Sequence, residues 1–93
     1  MPIGTLRVTL RLRGVRSLKE KRSAVLPLLA RIRHDHHCAA AEVEDVGRRG
    51  SSVLEVACVN SDRVAAERTL NAVLALLERD GLAEIVDHQL DVT

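Results

Sequence analysis

Apolar and polar residues alternate over positions 5–13, with Leu6, Val8, Leu10 and Leu12 on one face and Thr5, Arg7, Thr9, Arg11 and Arg13 on the other. A period of two predicts a half-buried strand, broken at Gly14. The pattern then changes to helical spacing. Ser17-Leu18-Lys19-Glu20 fits a capping box, in which the Ser17 hydroxyl accepts from the Glu20 N–H while the Glu20 carboxylate reaches back. Leu18, Val25, Leu28, Leu29 and Ile32 follow on one stripe. Pro27 falls opposite Leu18, on the solvent face, where water can satisfy the freed Ser23 carbonyl, so a kink is expected there and not an end.

His34 to Cys38 reads as a polar connection, and residues 39–46 as an Ala-rich strand with Ala39, Ala41 and Val43 inward and Glu42 and Glu44 outward. Gly47-Arg48-Arg49-Gly50 is a hairpin tip whose glycines would supply positive φ. Residues 52–60 form a third strand with Leu54, Val56 and Cys58 inward. Asn60 or Ser61 caps a second helix with the stripe Ala66, Leu70, Val73, Leu74 and Leu77, closed at Asp80-Gly81. Residues 84–92 alternate again, with Val86, Leu90 and Val92 inward.

The order β-α-β-β-α-β, joined by right-handed crossovers, predicts an α+β ferredoxin-like domain. Its four-stranded antiparallel sheet has the order 4-1-3-2, with both helices on one face. Ninety-three residues allow one domain, large enough to fold without metal or disulfide. The 46% apolar and 29% charged fractions exclude a disordered chain. No apolar run is long enough to span a membrane and no export signal opens the chain, so a cytoplasmic location with Cys38 and Cys58 as reduced thiols is expected. In the expected strand register Cys38 faces away from Cys58. Aromatic residues are absent, which excludes the stacking platforms of single-stranded nucleic-acid readers.

Several segments together resemble the YlxP-like family of small bacterial proteins. They are the opening strand Gly4-Thr5-Leu6-Arg7-Val8, the segment Arg16-Ser17-Leu18-Lys19-Glu20-Lys21-Arg22, then Ala41-Glu42-Val43, and Asn60-Ser61-Asp62 before the second helix. The resemblance spans nearly the whole chain, and Ser-Leu-Lys-Glu-Lys-Arg is its most specific part. It implies a ferredoxin-like fold and a gene neighbourhood of translation-initiation and ribosome-maturation factors, with no established reaction and no catalytic residues. Pro27 and the His-rich stretch depart from the family's usual pattern.

The net charge of +1 hides an asymmetry: residues 1–37 hold nine Lys/Arg against two acids, residues 38–93 five against eleven. Two basic surfaces follow. Arg7 and Arg11 lie on the uncovered sheet face, but Glu55, Asp87 and Asp91 are expected beside them, so a charge-laddered, solvated face is preferred over an RNA platform. The second surface is the end of the domain where the first helix starts and the hairpin turns. Arg13, Arg16, Ser17, Lys19, Lys21, Arg22, Arg48 and Arg49 converge there, and cations beside free helix N–H groups favour phosphate.

His34, His36, His37 and Cys38 have no second cluster at ligand spacing, so neither a metal nor a cofactor is expected. Nor is there a nucleophile elbow or paired-carboxylate signal, and an enzyme is not expected. The leading expectation is a small accessory protein contacting ribosomal RNA, or a ribosomal particle, through its basic pole. The alternative is an interaction module that forms a homo-oligomer through the open sheet face, where Val53, Ala57, Val59 and Ile85 are expected.

Overall fold

The computed structural model describes residues 1–81 and 83–93. Strand β1 (Ile3–Leu12) leads into helix α1 (Leu18–His36). Strands β2 (Ala39–Glu44) and β3 (Ser51–Val59) form a hairpin, followed by helix α2 (Arg63–Arg79) and strand β4 (Ala83–Val92). All pairings are antiparallel, in the order β2-β3-β1-β4, the ferredoxin-like arrangement.

The even-numbered residues of β1 build the centre of the core. Leu6, Val8, Leu10 and Leu12 meet Leu54 and Val56 of β3, and Val25, Leu28, Leu29, Ile32, Leu70, Val73, Leu76 and Leu77 cover them from the helices. Burial of an aliphatic side chain stabilises by about 1.5–3 kcal/mol, so this aliphatic layer is the main favourable term, with no aromatic residue needed. Gly4 permits close approach: a Cβ there would stand 2.8 Å from Leu70 Cδ1 and 3.2 Å from Cys58 Sγ.

Both helices are capped by side chains. Ser17 Oγ accepts from the Glu20 N–H at 3.1 Å, while the Glu20 carboxylate accepts from the Arg16 N–H at 2.6 Å, one residue before the cap. In α2 the cap is Asp62, not Asn60 or Ser61. Its carboxylate accepts from the Val64 N–H, and Asn60 Oδ1 accepts from the Asp62 N–H. Helix α1 continues past the exposed Pro27. It also takes in the supposed connection through His36 and ends at His37 in the left-handed region, φ 53°.

The strand β2 runs in the opposite frame from the one its apolar residues suggest. Cys38 and Ala40 are buried and Glu42 is turned inward, whereas Ala39, Ala41 and Val43 are exposed. A one-residue change of frame exchanges the two faces of a strand. Its cause is Lys21, which is 2% exposed and needs the Glu42 carboxylate as its counter-ion. Cys38 therefore lies on the same face as Cys58.

Two irregularities move further residues. The β1–β4 register shifts between Thr9 and Leu10, so Ile85 packs on the core and Val86 is exposed, the reverse of the alternation. A bulge does this by inserting one unpaired residue. The β2–β3 register shifts between Glu42 and Glu44, which brings Glu44 opposite Val53. Val53 itself is buried. In the hairpin loop the positive φ belongs to Asp45, at 60°, and not to Gly47 or Gly50. Aspartate tolerates this conformation because its short side chain bonds locally, and here its carboxylate accepts from Ser51 Oγ at 3.0 Å.

Candidate phosphate-contact site

The start of α1 and the β2–β3 loop meet at one end of the sheet. Arg49 Nη1 donates to the Arg16 carbonyl at 3.0 Å, and the Leu12 N–H donates to the Gly50 carbonyl at 2.9 Å, so the loop is tied to both neighbouring segments. Lys21 completes the joint from within. Its Nζ lies 2.9 Å from Glu42 Oε2 and donates to the carbonyls of Asp45 and, at 3.4 Å, Val46. Ser52 Oγ, also buried, donates to the same Glu42 oxygen at 2.5 Å.

Lys21 is therefore not a surface cation, and its expected place among the phosphate contacts is corrected. A buried ammonium without partners would be prohibitive, and one carboxylate plus two carbonyls satisfies all three of its donors. Residue 21 stands one turn before Val25, on the stripe where Leu18 was expected; Leu18 itself is 39% exposed. The position is coreward because the helix starts directly over the loop. A lysine there exchanges an apolar contact for three polar ones.

Ser17 caps the helix as expected, its oxygen accepting from the Glu20 N–H. With the Glu20 carboxylate bonded at the helix start, the partial positive charge of the N-terminus already has an anion beside it. At the helix start the Glu20 N–H is taken by the cap and the Lys21 N–H by the Ser17 carbonyl, so the charge available to a phosphate at this pole comes chiefly from the side chains.

The sheet arginines are neutralised. Arg7 lies 3.0 Å from Glu44 and 3.2 Å from Glu55, and Arg11 lies 3.7 Å from Glu84. Arg13 is drawn to Glu84 as well, at 2.7 Å, and its guanidinium holds that carboxyl below the usual range, first by the hydrogen bond and then by its charge. The expected partners Asp87 and Asp91 stand opposite Thr9 and Thr5 instead. Glu84 reaches the stripe because of the β1–β4 register shift, which alternation alone does not reveal. Glu44 stays outward, as expected, because the β2–β3 shift offsets the change of frame.

At the pole the picture differs. Arg48 is 3.8 Å from Asp45, but among the described residues Arg16, Lys19, Arg22 and Arg49 have no carboxylate within ion-pair distance, and all four are exposed. Arg22 also borders a depression of ≈ 230 Å³ between α1 and β2, lined by Leu26, Arg33 and Val46 among others. Among the described residues no group of three or more His, Cys, Asp or Glu is placed to hold a metal ion. No helix there is long and apolar enough to cross a membrane.

Comparison with solved structures bears on the fold alone. A structural-genomics protein, YJCS, superposes with a TM-score of 0.59 at 13% identity, covering 96% of each chain. SnoaB, a cofactor-independent oxygenase from Streptomyces nogalater, gives 0.58 at 14% identity over 97% of this chain and 90% of its own. An amidase of the hydantoinase/carbamoylase family from Burkholderia phymatum gives 0.62 at 16% identity, but the match covers only 28% of that larger chain. No curated protein matches in sequence. Residues 3–90 match the family described as a protein of unknown function, DUF503, and with nearly the whole chain matched, the protein belongs to that family.

Proposed function

We propose that this protein is a non-catalytic accessory factor that contacts RNA phosphates, on the ribosome or its precursors, through Arg16, Lys19, Arg22, Arg48 and Arg49. The observation that carries the reading is the distribution of ion pairs. Arg7 meets two carboxylates and Arg11 and Arg13 share that of Glu84, whereas among the described residues four of the five pole cations have none. Unpaired cations on two tied segments suit a phosphate backbone, which is read by charge and position rather than by sequence. The resemblance to YlxP-like proteins, with its neighbourhood of translation factors, points the same way. Sedimentation of the tagged protein with ribosomal particles tests it: the protein should travel with the particles at low salt and leave them at high salt. Failure to sediment at either would contradict the proposal.

A second reading is favoured by one observation, the frame of β2. It places Ala39, Ala41 and Val43 on the open face beside Ala57 and Val59, next to Ile3, whereas Ile85 packs on the core and Val53 is buried. This apolar strip borders a shallow depression of ≈ 350 Å³ and suits a second copy of the chain. Sedimentation equilibrium decides it: a dimer abolished by Ala57→Glu supports this reading, and a monomer at high protein concentration contradicts it.

A further inference from the structure

The change of frame in β2 has a chemical consequence for the two cysteines. Ala39 pairs with Ala57 and Ala40 with Val56, so the next position outward sets Cys38 opposite Cys58. Both side chains are on the helix-covered face. Cys38 is 6% exposed and Cys58 is half-buried. Their thiols donate to separate carbonyls, Cys38 to His36 at 3.4 Å and Cys58 to Ala66 at 3.8 Å. Directly opposed antiparallel residues have Cα atoms about 4.5–5.5 Å apart, within the about 4.4–6.8 Å that a disulfide spans.

We infer that Cys38 and Cys58 form a reversible dithiol/disulfide pair, oxidised by a small-molecule disulfide, that staples the first residue before β2 to β3. The two sulfurs have different roles. Cys58, the more exposed, attacks first: its thiolate forms a bond to one sulfur of the oxidant and expels one thiolate. Cys38 then loses its proton to solvent and attacks the Cys58 sulfur of the mixed disulfide, expelling the second thiolate. Two protein thiols are oxidised and one disulfide is reduced to two thiols. Cys38 is a slow initiator because burial first, and the neighbouring Cys58 second, push its thiol up to about 11. As an intramolecular resolving group it meets an effective concentration no free thiol reaches.

The staple closes the hairpin at the end remote from Arg48 and Arg49. β2 is a short edge strand paired on one side alone, and edge elements open locally at low free energy. The disulfide should therefore suppress opening of β2 without touching the basic pole.

The test treats the reduced protein with excess glutathione disulfide, quenches with iodoacetamide and measures the intact mass. The wild-type chain should lose two hydrogens, retain no glutathione, take up no alkyl group and stay monomeric, with dithiothreitol restoring two alkylatable thiols. The oxidised form should also melt at a higher temperature than the reduced one. Cys38→Ala should stop at a stable glutathione adduct on Cys58, whereas Cys58→Ala should leave Cys38 predominantly a free thiol. Stable glutathione on the wild type, disulfide-linked dimers, or two thiols still alkylated in wild-type protein that retains its native circular dichroism would each overturn the inference. Because the wild type alone decides, a variant that fails to fold does not shelter it.

Discussion

Lys21 illustrates how one side chain governs its surroundings. Charge and position in a cation-rich turn suggest a solvated residue, yet the helix stripe and the loop above it enclose the ammonium. Removing one member of a buried pair leaves the other charge stranded, typically at about 3–5 kcal/mol. Lys21→Ala should therefore lower stability by about 3 kcal/mol or more, read by urea unfolding, whereas Lys19→Ala two residues away should cost under about 0.5 kcal/mol. Equal small effects would mean that Glu42 is solvated without its partner. Cys38 is the other buried group that speaks through its proton. Its folded value, about 11, lies above the ordinary 9.0, so the fold favours the neutral thiol. That contribution is whole below about 9 and is lost as pH rises from about 9 to about 11. Unfolding under reducing conditions should show wild type losing on the order of 2 kcal/mol more than Cys38→Ala across this interval. Parallel curves would contradict the burial of the thiol.

At the scale of elements, periodicity was enough to recover all six and their order, because Leu6 to Leu12, the Ser17 cap and the α2 stripe each repeat without interruption. The frame of β2 was not legible. Its strand offers three alanines and one valine, so apolar patterning contrasts weakly between the faces, and Val43 tips the choice the wrong way. The correct frame depends on a lysine in another element, a long-range fact that no local window contains. The same holds for the bulge that exposes Val86, and for the pole, where Arg16, Lys19, Arg22 and Arg49 were recognisable but the withdrawal of Lys21 and Arg13 was not. Glycine positions give a direct check on the loop. Gly47 and Gly50 have open space where a Cβ would go and no positive φ, so alanine at either should be neutral or stabilise by up to about 1 kcal/mol. Gly4→Ala would place a methyl against Leu70 and should lower the melting temperature clearly. The opposite ranking would refute the loop conformation and the β1–α2 approach together.

Seen whole, the molecule carries two dissimilar surfaces at opposite ends of its sheet. One end has cations tied together by Arg49 and the buried Lys21; the other has the apolar strip of Ile3, Ala39, Ala57 and Val59 on the open face. Between them the sheet arginines are held by Glu44, Glu55 and Glu84 in exposed, solvent-screened pairs, which quench charge more than they stabilise. Phosphate contact at the first end is the central claim, and the salt dependence of binding to a labelled ribosomal RNA helix tests it most directly. Each phosphate neutralised contributes roughly 0.7–0.9 to the slope of log K against log salt. Arg16→Ala, Lys19→Ala and Arg22→Ala combined should reduce that slope by about two to three units with little loss of stability. Arg7→Ala with Arg11→Ala should leave it unchanged. A slope that survives the pole substitutions, or falls equally with those on the sheet, would contradict the claim.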